Sequence, residues 1–281
     1  MTRRLIVTAD DVGLHRGMTL GAMRAHDEGI VTACSVMAAG ADLAHAVASL
    51  RARPALAAGA HLTLVGARPL SPATEVPSLV TPAGDFLPGF TSFVRRYHAG
   101  RINLEEIERE LRRQIERLLE AGLGIVHLNS HQHLHALPGV FAVVLRLAQE
   151  HGVGYVRLPL DRQPRRLPSL RMLLVGVLAR YARRARRRTS VGSVVLCDGT
   201  IGIAEAGRLT AERIGRLLPH VTGLTELVCH PGLDKGALAA FSWGYRWEEE
   251  TSALCDAGVR AAIARARIEL VSPSGIGHRE E

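Results

Sequence analysis

The sequence predicts an α/β protein whose strands curl into an irregular (β/α) barrel. Short apolar, β-branched runs recur along the chain, helical patterns separate them, and polar residues collect where the runs end. Such alternation implies a parallel sheet with helical crossovers. Eight candidate strands suit a barrel, with an open doubly wound sheet as the alternative. No G-x-G-x-x-G follows the first run to favour a dinucleotide site.

In chain order the predicted strands are RLIVT (4–8), TACSVMA (32–38), AGAHLTLV (58–65), GIVHLN (124–129), GYVRLP (154–159), SVVLC (193–197), TELVCH (225–230) and IELVS (268–272). Predicted helices lie near 16–29, 41–52, 103–121, 139–151, 167–188, 205–218 and 247–265. The clearest is NLEEIERELRRQIERLLEAG. There Asn103 is the expected N-cap with Glu106 three residues on, and Ile107, Leu111, Ile115, Leu118 and Leu119 form the apolar stripe before the Gly122 stop. The Pro/Gly-rich stretch 66–89 is too long for a tight turn and is expected to be a substrate-side loop within a single domain covering 1–281.

Composition narrows the class. The chain is 47% hydrophobic and 22% charged, ordinary for a globular protein with a sizeable core. Aromatics make up 4%, so that core must come mainly from Leu, Val, Ala and Ile. Its apolar runs fall short of the roughly 20 residues needed to span a bilayer. The first strand begins too early to leave room for a signal peptide, and the expected location is cytoplasmic. Cys34, Cys197, Cys229 and Cys255 are far apart, which predicts reduced thiols rather than a thiolate metal site.

The strand ends carry the chemistry. LIVTADDVG places Asp10 and Asp11 side by side where the first strand emerges. A helix cap would explain one aspartate, but two like charges at a barrel mouth repel unless a cation or proton relieves them. His61 in AHLTLV shares the strand period with Thr63. In HLNSHQHLHALP, residues His127, Asn129, His131, His133 and His135 alternate, and desolvating five such groups without partners would be prohibitive. His133 and His135 also fit a solvated loop before Pro138. Two imidazoles with one carboxylate suit one divalent ion with open positions. Zn²⁺ is favoured, and Mg²⁺, Mn²⁺ or Fe²⁺ would also be accepted. His230 in ELVCHPG ends a late strand, where it could protonate a leaving group.

Assembled, TADDVG, GAHLTLVGARPL, HLNSHQHLHALP and ELVCHPG resemble the four blocks of the YdjC-type carbohydrate deacetylases over nearly the whole chain. The resemblance implies a distorted barrel and a divalent metal used to remove N-acetyl groups from amino sugars. It would give Asp11, His61 and His131 to the metal, Asp10 the role of general base and His230 that of general acid. Arg157 in VRLP would steady the aspartate or the substrate. Thr63, His133 and Asn129 stand as substrate-side or supporting positions. Most members carry aspartate where this chain has Asn129, so any tuning by that carboxylate is lost or altered. Asn129 and WGYRWEEETSAL (243–254) resemble the hopanoid-biosynthesis-associated branch, which implies an N-acetylglucosaminyl hopanoid substrate. Soluble N-acetylglucosamine or chitin oligosaccharides are the alternative, and a non-catalytic lipid- or polyanion-binding protein is a third reading.

The formal charge of +8 is uneven, with eleven arginines between Arg157 and Arg188. The apolar and basic stretch 162–188 reads either as a barrel helix with solvated arginines or as an interfacial helix drawn to anionic lipid, which predicts peripheral membrane association. No nucleic-acid motif or stacking set accompanies it, so no nucleic-acid partner is expected.

Overall fold

Nine strands form one parallel sheet in the computed structural model, which describes residues 2–161, 173, 176, 177, 179–181, 183, 184 and 193–276. They are β1 (Arg3–Val12), β2 (Ala33–Val36), β3 (Ala57–Leu62), β4 (Ile125–Ser130), β5 (Tyr155–Val156), β6 (Val195–Leu196), β7 (Gly199–Ile201), β8 (Leu224–Cys229) and β9 (Ile268–Leu270). Their order is β6-β5-β4-β3-β2-β1-β8-β7, with β9 beside the start of β1. The sheet curls into a half-barrel. The continuation of β5 meets β7 where Asp161 bridges Thr200, whose N–H donates to the Leu160 carbonyl at 2.8 Å. The expected irregular barrel is present as this half-barrel.

β1 lies at the centre and is apolar on both faces, as a strand covered on both sides requires: Leu5, Ile6, Val7 and Ala9 are fully buried. The crossovers are helices, beginning with Arg16–Asp27 between β1 and β2 and Leu43–Arg51 between β2 and β3. The expected helix at 103–121 runs Leu104–Glu120, and Asn103 Oδ1 accepts the Glu105 N–H at 2.8 Å. Ile107, Leu111, Ile115 and Leu118 form its core face, whereas Leu119 is largely exposed. Glu106 does not complete a capping box. It joins Glu110 and Gln114 in a polar row that accepts backbone N–H groups of Ser78, Leu70, Ser71 and Thr63. That row pins the 66–89 loop, which also buries Val76, Leu79 and Phe86.

Other boundaries differ for physical reasons. β7 is only three residues long and follows β6 too closely to show as a separate run. Helix Phe90–His98 is not among those expected, although Phe90, Phe93, Val94 and Tyr97 form a short apolar stripe that packs against the core, with Phe93 alone fully buried. The expected helix 247–265 is two, Trp247–Leu254 and Ala257–Arg265, because Asp256 interrupts it and caps the second by accepting the Val259 N–H at 2.9 Å. The expected helix at 205–218 is confined to Ala211–Leu217, capped by Thr210. Of the basic segment 162–188, only Leu173, Gly176, Val177, Ala179, Arg180, Tyr181, Arg183 and Arg184 are described, and these are helical; the remainder lies outside the described residues. No described helix is long and apolar enough to cross a membrane.

Gly59 of β3 makes room inside the sheet. A Cβ there would lie 2.2 Å from His127 Nε2. Gly59→Ala is expected to lower stability by about 1–3 kcal/mol through overpacking, read as a shift of the urea midpoint.

Candidate metal centre

Consecutive residues of a regular strand point to opposite faces, so Asp10 and Asp11 should diverge. They do not, because β1 breaks its register between Ala9 and Val12 and Asp11 adopts φ 61. A left-handed aspartate at a bulge re-aims its side chain, and both carboxylates then meet the same group of histidines.

Asp11 Oδ1 lies 3.1 Å from His61 Nε2 and 2.9 Å from His131 Nδ1. Ligand atoms of these three residues all fall within 4.8 Å of one another. Asn129 Oδ1 accepts from His61 Nδ1 at 2.7 Å. An amide oxygen can only accept, so that bond places a proton on Nδ1 and turns Nε2 toward Asp11. Asn129 Nδ2 donates to Ser35 Oγ at 2.6 Å and to Asp10 Oδ1 at 3.3 Å. Burial alone would raise the Asp11 carboxyl, but the His131 and His61 rings hold it well below the usual carboxylate range. Burial disfavours charge on His61, yet Asp10 and Asp11 outweigh it and raise its pKa. A pocket that draws positive charge onto a buried ring, with one oxygen and two nitrogen donors converging, fits a divalent cation.

Asp10 is held differently. Arg157 is fully buried, and its Nη1 and Nη2 donate to Asp10 Oδ2 and Oδ1 at 2.6 and 2.8 Å. Its Nε and Nη2 also donate to Glu226 Oε1 at 3.0 and 2.8 Å. Glu226 accepts further bonds from Thr8 Oγ1 at 2.6 Å and the Tyr155 hydroxyl at 2.7 Å. Against burial, Arg157 and then His61 keep the Asp10 carboxyl far below its ordinary value. Arg157 Nη2 thus bonds both carboxylates. Sequence reasoning missed Glu226. The available signal was an acidic residue in the middle of the apolar run LTELVC, where an unpaired charge would be intolerable.

The histidine-rich block does not stay extended. β4 ends at Ser130, and residues His131–Ala136 form a 3₁₀ segment in which Gln132 and His133 have φ 54 and 57. His127 and Asn129 face the barrel interior, where His127 Nε2 meets Ser35 Oγ at 3.2 Å. His135 is not a solvated loop residue. It is fully buried, with Nε2 donating to the Arg157 carbonyl at 3.0 Å and Nδ1 accepting from Ser130 Oγ at 2.6 Å. His133 is half-buried, and its Nδ1 has no partner among the described residues. Thr63 lies just past β3, and its hydroxyl donates to the His61 carbonyl at 3.0 Å instead of facing the ligand atoms.

His230 follows Cys229, which pairs with Ala9, so it stands level with Asp10 and acts electrostatically on it. Its backbone N–H donates to Glu250 Oε1 at 2.6 Å. Burial pushes the Glu250 carboxyl up to about 8. Glu250 was also missed, since EEE at 248–250 reads as a solvated helix start. Cys34, Cys197 and Cys229 are buried free thiols and Cys255 is half-buried, as expected.

A parallel half-barrel with a candidate metal centre and a paired carboxylate at its carboxyl strand ends has the layout of the barrel enzymes. The chain belongs to the YdjC-like protein family, which it matches over residues 4–265. It is 31% identical to a carbohydrate deacetylase of Brevibacillus brevis, with 98% of this chain and 100% of the relative covered. A chitooligosaccharide deacetylase of Serratia marcescens is 29% identical over 94% of this chain and 95% of its own. A carbohydrate deacetylase of Homo sapiens is 31% identical, covering 95% and 89%. Among solved structures, an Enterococcus faecalis protein named for cellobiose-phosphate cleavage superposes with a TM-score of 0.78 at 26% identity, covering 98% of this chain and 99% of that one.

Removing Glu226 breaks the buried ion cluster. Glu226→Ala is expected to cost about 3–5 kcal/mol in urea denaturation, against about 1 kcal/mol for Tyr155→Phe, which removes one hydrogen bond. A second outcome concerns pH. Burial holds His127 and His135 near about 4, so in the folded chain they stay neutral where the unfolded chain already binds protons. Their contribution is therefore full above about pH 6.5 and declines as pH falls from there toward about 4, while the raised carboxyl of Glu250 and the raised ring of His61 act in the opposite sense. The difference in urea midpoint between the parent and His135→Gln should move in the variant's favour between about pH 7.5 and about pH 5, and a constant difference would contradict the neutral assignment.

Proposed function

We propose that this protein is a metal-dependent N-deacetylase that hydrolyses the acetamide of an N-acetylated amino sugar. One observation carries the reading: Asp11, His61 and His131 converge on a common point while Asp10, immediately beside them, is held by Arg157 and left outside the ligand set. Names of the relatives support the reaction class.

Asp11 Oδ1, His61 Nε2 and His131 Nδ1 would hold the ion. When bound, a divalent ion supplies Lewis acidity for the acetyl carbonyl and for water. Asp10 accepts the proton of the attacking water, oriented by the two Arg157 bonds so that only a narrow arc of its lone pairs remains free. Asn129 keeps His61 in the tautomer that presents Nε2. His230 delivers a proton to the departing amine nitrogen, without which the tetrahedral adduct reverts to amide. Its backbone anchor on Glu250 sets the ring's position.

The substrate is an N-acetylglucosaminyl hopanoid lipid. Asn129 and the 243–254 segment support this choice through their resemblance to the hopanoid-associated branch. Leu173 and Val177 are exposed at 53% and 41% on a helical stretch that also exposes Arg180, Arg183 and Arg184, a composition suited to a peripheral position at anionic membrane. Soluble chitin oligosaccharides are the second reading, favoured by the Serratia marcescens relative.

His131→Ala is expected to lose both the ion, by elemental analysis, and acetate release. Asp10→Asn should retain the ion and lose turnover by about 10²-fold or more, the usual size of a general-base contribution. Near-normal rates in Asp10→Asn would sink the assigned role. Mass spectrometry of glycolipid and chitooligosaccharide products separates the two substrates.

A further inference from the structure

Aromatic residues are distributed in a way the ligand set does not require. The chain has five phenylalanines, four tyrosines and two tryptophans, yet Phe241, Trp243, Tyr245 and Trp247 occupy alternate positions of one short stretch, from the end of a 3₁₀ turn to the start of helix Trp247–Leu254. Their rings touch in series: Phe241 to Trp243 at 5.1 Å, Trp243 to Tyr245 at 5.6 Å and Tyr245 to Trp247 at 5.0 Å between centroids. Trp243 also lies 5.6 Å from the His131 ring, and Tyr245 lies 5.2 Å from the His230 ring. The series therefore joins a candidate metal ligand to the candidate acid.

This shelf is built and braced. Trp247 is buried with Met18 and Leu238 in a small apolar cluster separate from the main core, and Phe241, Trp243 and Tyr245 pack half-buried against it. Tyr245 rests on Gly207, where a Cβ would come within 2.1 Å of the ring, and Gly207 itself has φ 72. The Arg246 N–H donates to the Gly207 carbonyl at 2.7 Å, fastening the loop to the same glycine. Ser242 and Gly244, on either side of Trp243, both take positive φ. A chain poor in aromatics thus holds several of them rigid, partly open, at the edge of its polar centre.

A pyranose ring has matching chemistry. Its hydroxyl edge is polar, whereas its C–H face is apolar and carries slight positive charge, which suits the negative face of an aromatic ring. We propose that Trp243 and Tyr245 form a stacking subsite for the sugar ring bearing the acetamide, seating its C–H face on the indole so that the amide reaches the centre between His131 and His230. This subsite rests on the deacetylase reading for the identity of its ligand.

Both tryptophans lie in the shelf, so intrinsic fluorescence reports on it directly. Titrating metal-loaded Asp10→Asn protein with N,N′-diacetylchitobiose should give a saturable change in tryptophan emission. Calorimetry should show Trp243→Phe, added to that variant, binding near the parent affinity and Trp243→Ala binding about tenfold more weakly, the loss expected for one aromatic contact. In the otherwise active chain, Trp243→Ala should raise KM about tenfold with kcat within about twofold and metal content unchanged. Unchanged affinity and KM in Trp243→Ala overturns the subsite. So does a fall in kcat at constant KM, which would make the indole a prop for His131 instead. Absence of any emission change or heat in the parent variant also overturns it. Saturable binding without acetate release by the active chain from either the disaccharide or an N-acetylglucosaminyl glycolipid would support the subsite while removing the deacetylase reading.

Discussion

A guanidinium without access to solvent organises the interior of the half-barrel. Arg157 brings a full positive charge into the buried interior, and desolvating it is tolerable only because Asp10 and Glu226 both bond it. Thr8 and Tyr155 then satisfy the remaining lone pairs of Glu226. The cluster spans β1, β8 and the continuation of β5, three elements that are not all sheet neighbours. His135 reinforces it from behind by bonding the Arg157 carbonyl. Asp10 is consequently ionised and fixed in orientation before any ligand arrives, which is preorganisation in the electrostatic sense.

The second constraint is a single backbone torsion. Without the left-handed Asp11, one aspartate of the pair would face the helices and the other the barrel. The bulge lets adjacent carboxylates take separate partners, Arg157 for one and a histidine pair for the other. Asn129 links the two halves, since it accepts from His61 and donates to Asp10. An aspartate there, as the family resemblance implies for most members, would set a second carboxylate against Asp10. The amide removes that repulsion and keeps the bond that orients His61, so the loss of charge at 129 does not leave the ring unsupported.

Support for the late-strand side comes from sequence-distant pieces. Glu250 fixes the His230 backbone, Gly207 receives Tyr245, and Trp247 packs on Met18 from the first helix. The loops around the centre are therefore held by buried contacts and not by the sheet alone. The long 66–89 loop shows the same device, where Glu106 and Glu110 accept backbone N–H groups of Ser78, Leu70 and Ser71 that a surface loop would give to water.

Local sequence determined the strand runs, the helix stripe with its Asn103 cap, and the identity of the residues at the strand ends, because each depends on period and residue chemistry over a few positions. Asp10, Asp11, His61, His131 and His230 could be singled out for that reason. Glu226 showed only as an acid inside an apolar run and Glu250 not at all, since a carboxylate in a sequence carries no record of the partner that neutralises it. Alternation misled at His133 and His135, where the chain turns into a 3₁₀ segment after Ser130. Which aspartate meets the histidines, and which aromatic rings stand beside them, were decided by tertiary structure. Both follow from a bulge and from packing between segments more than a hundred residues apart, distances over which no short-range pattern in the chain can act.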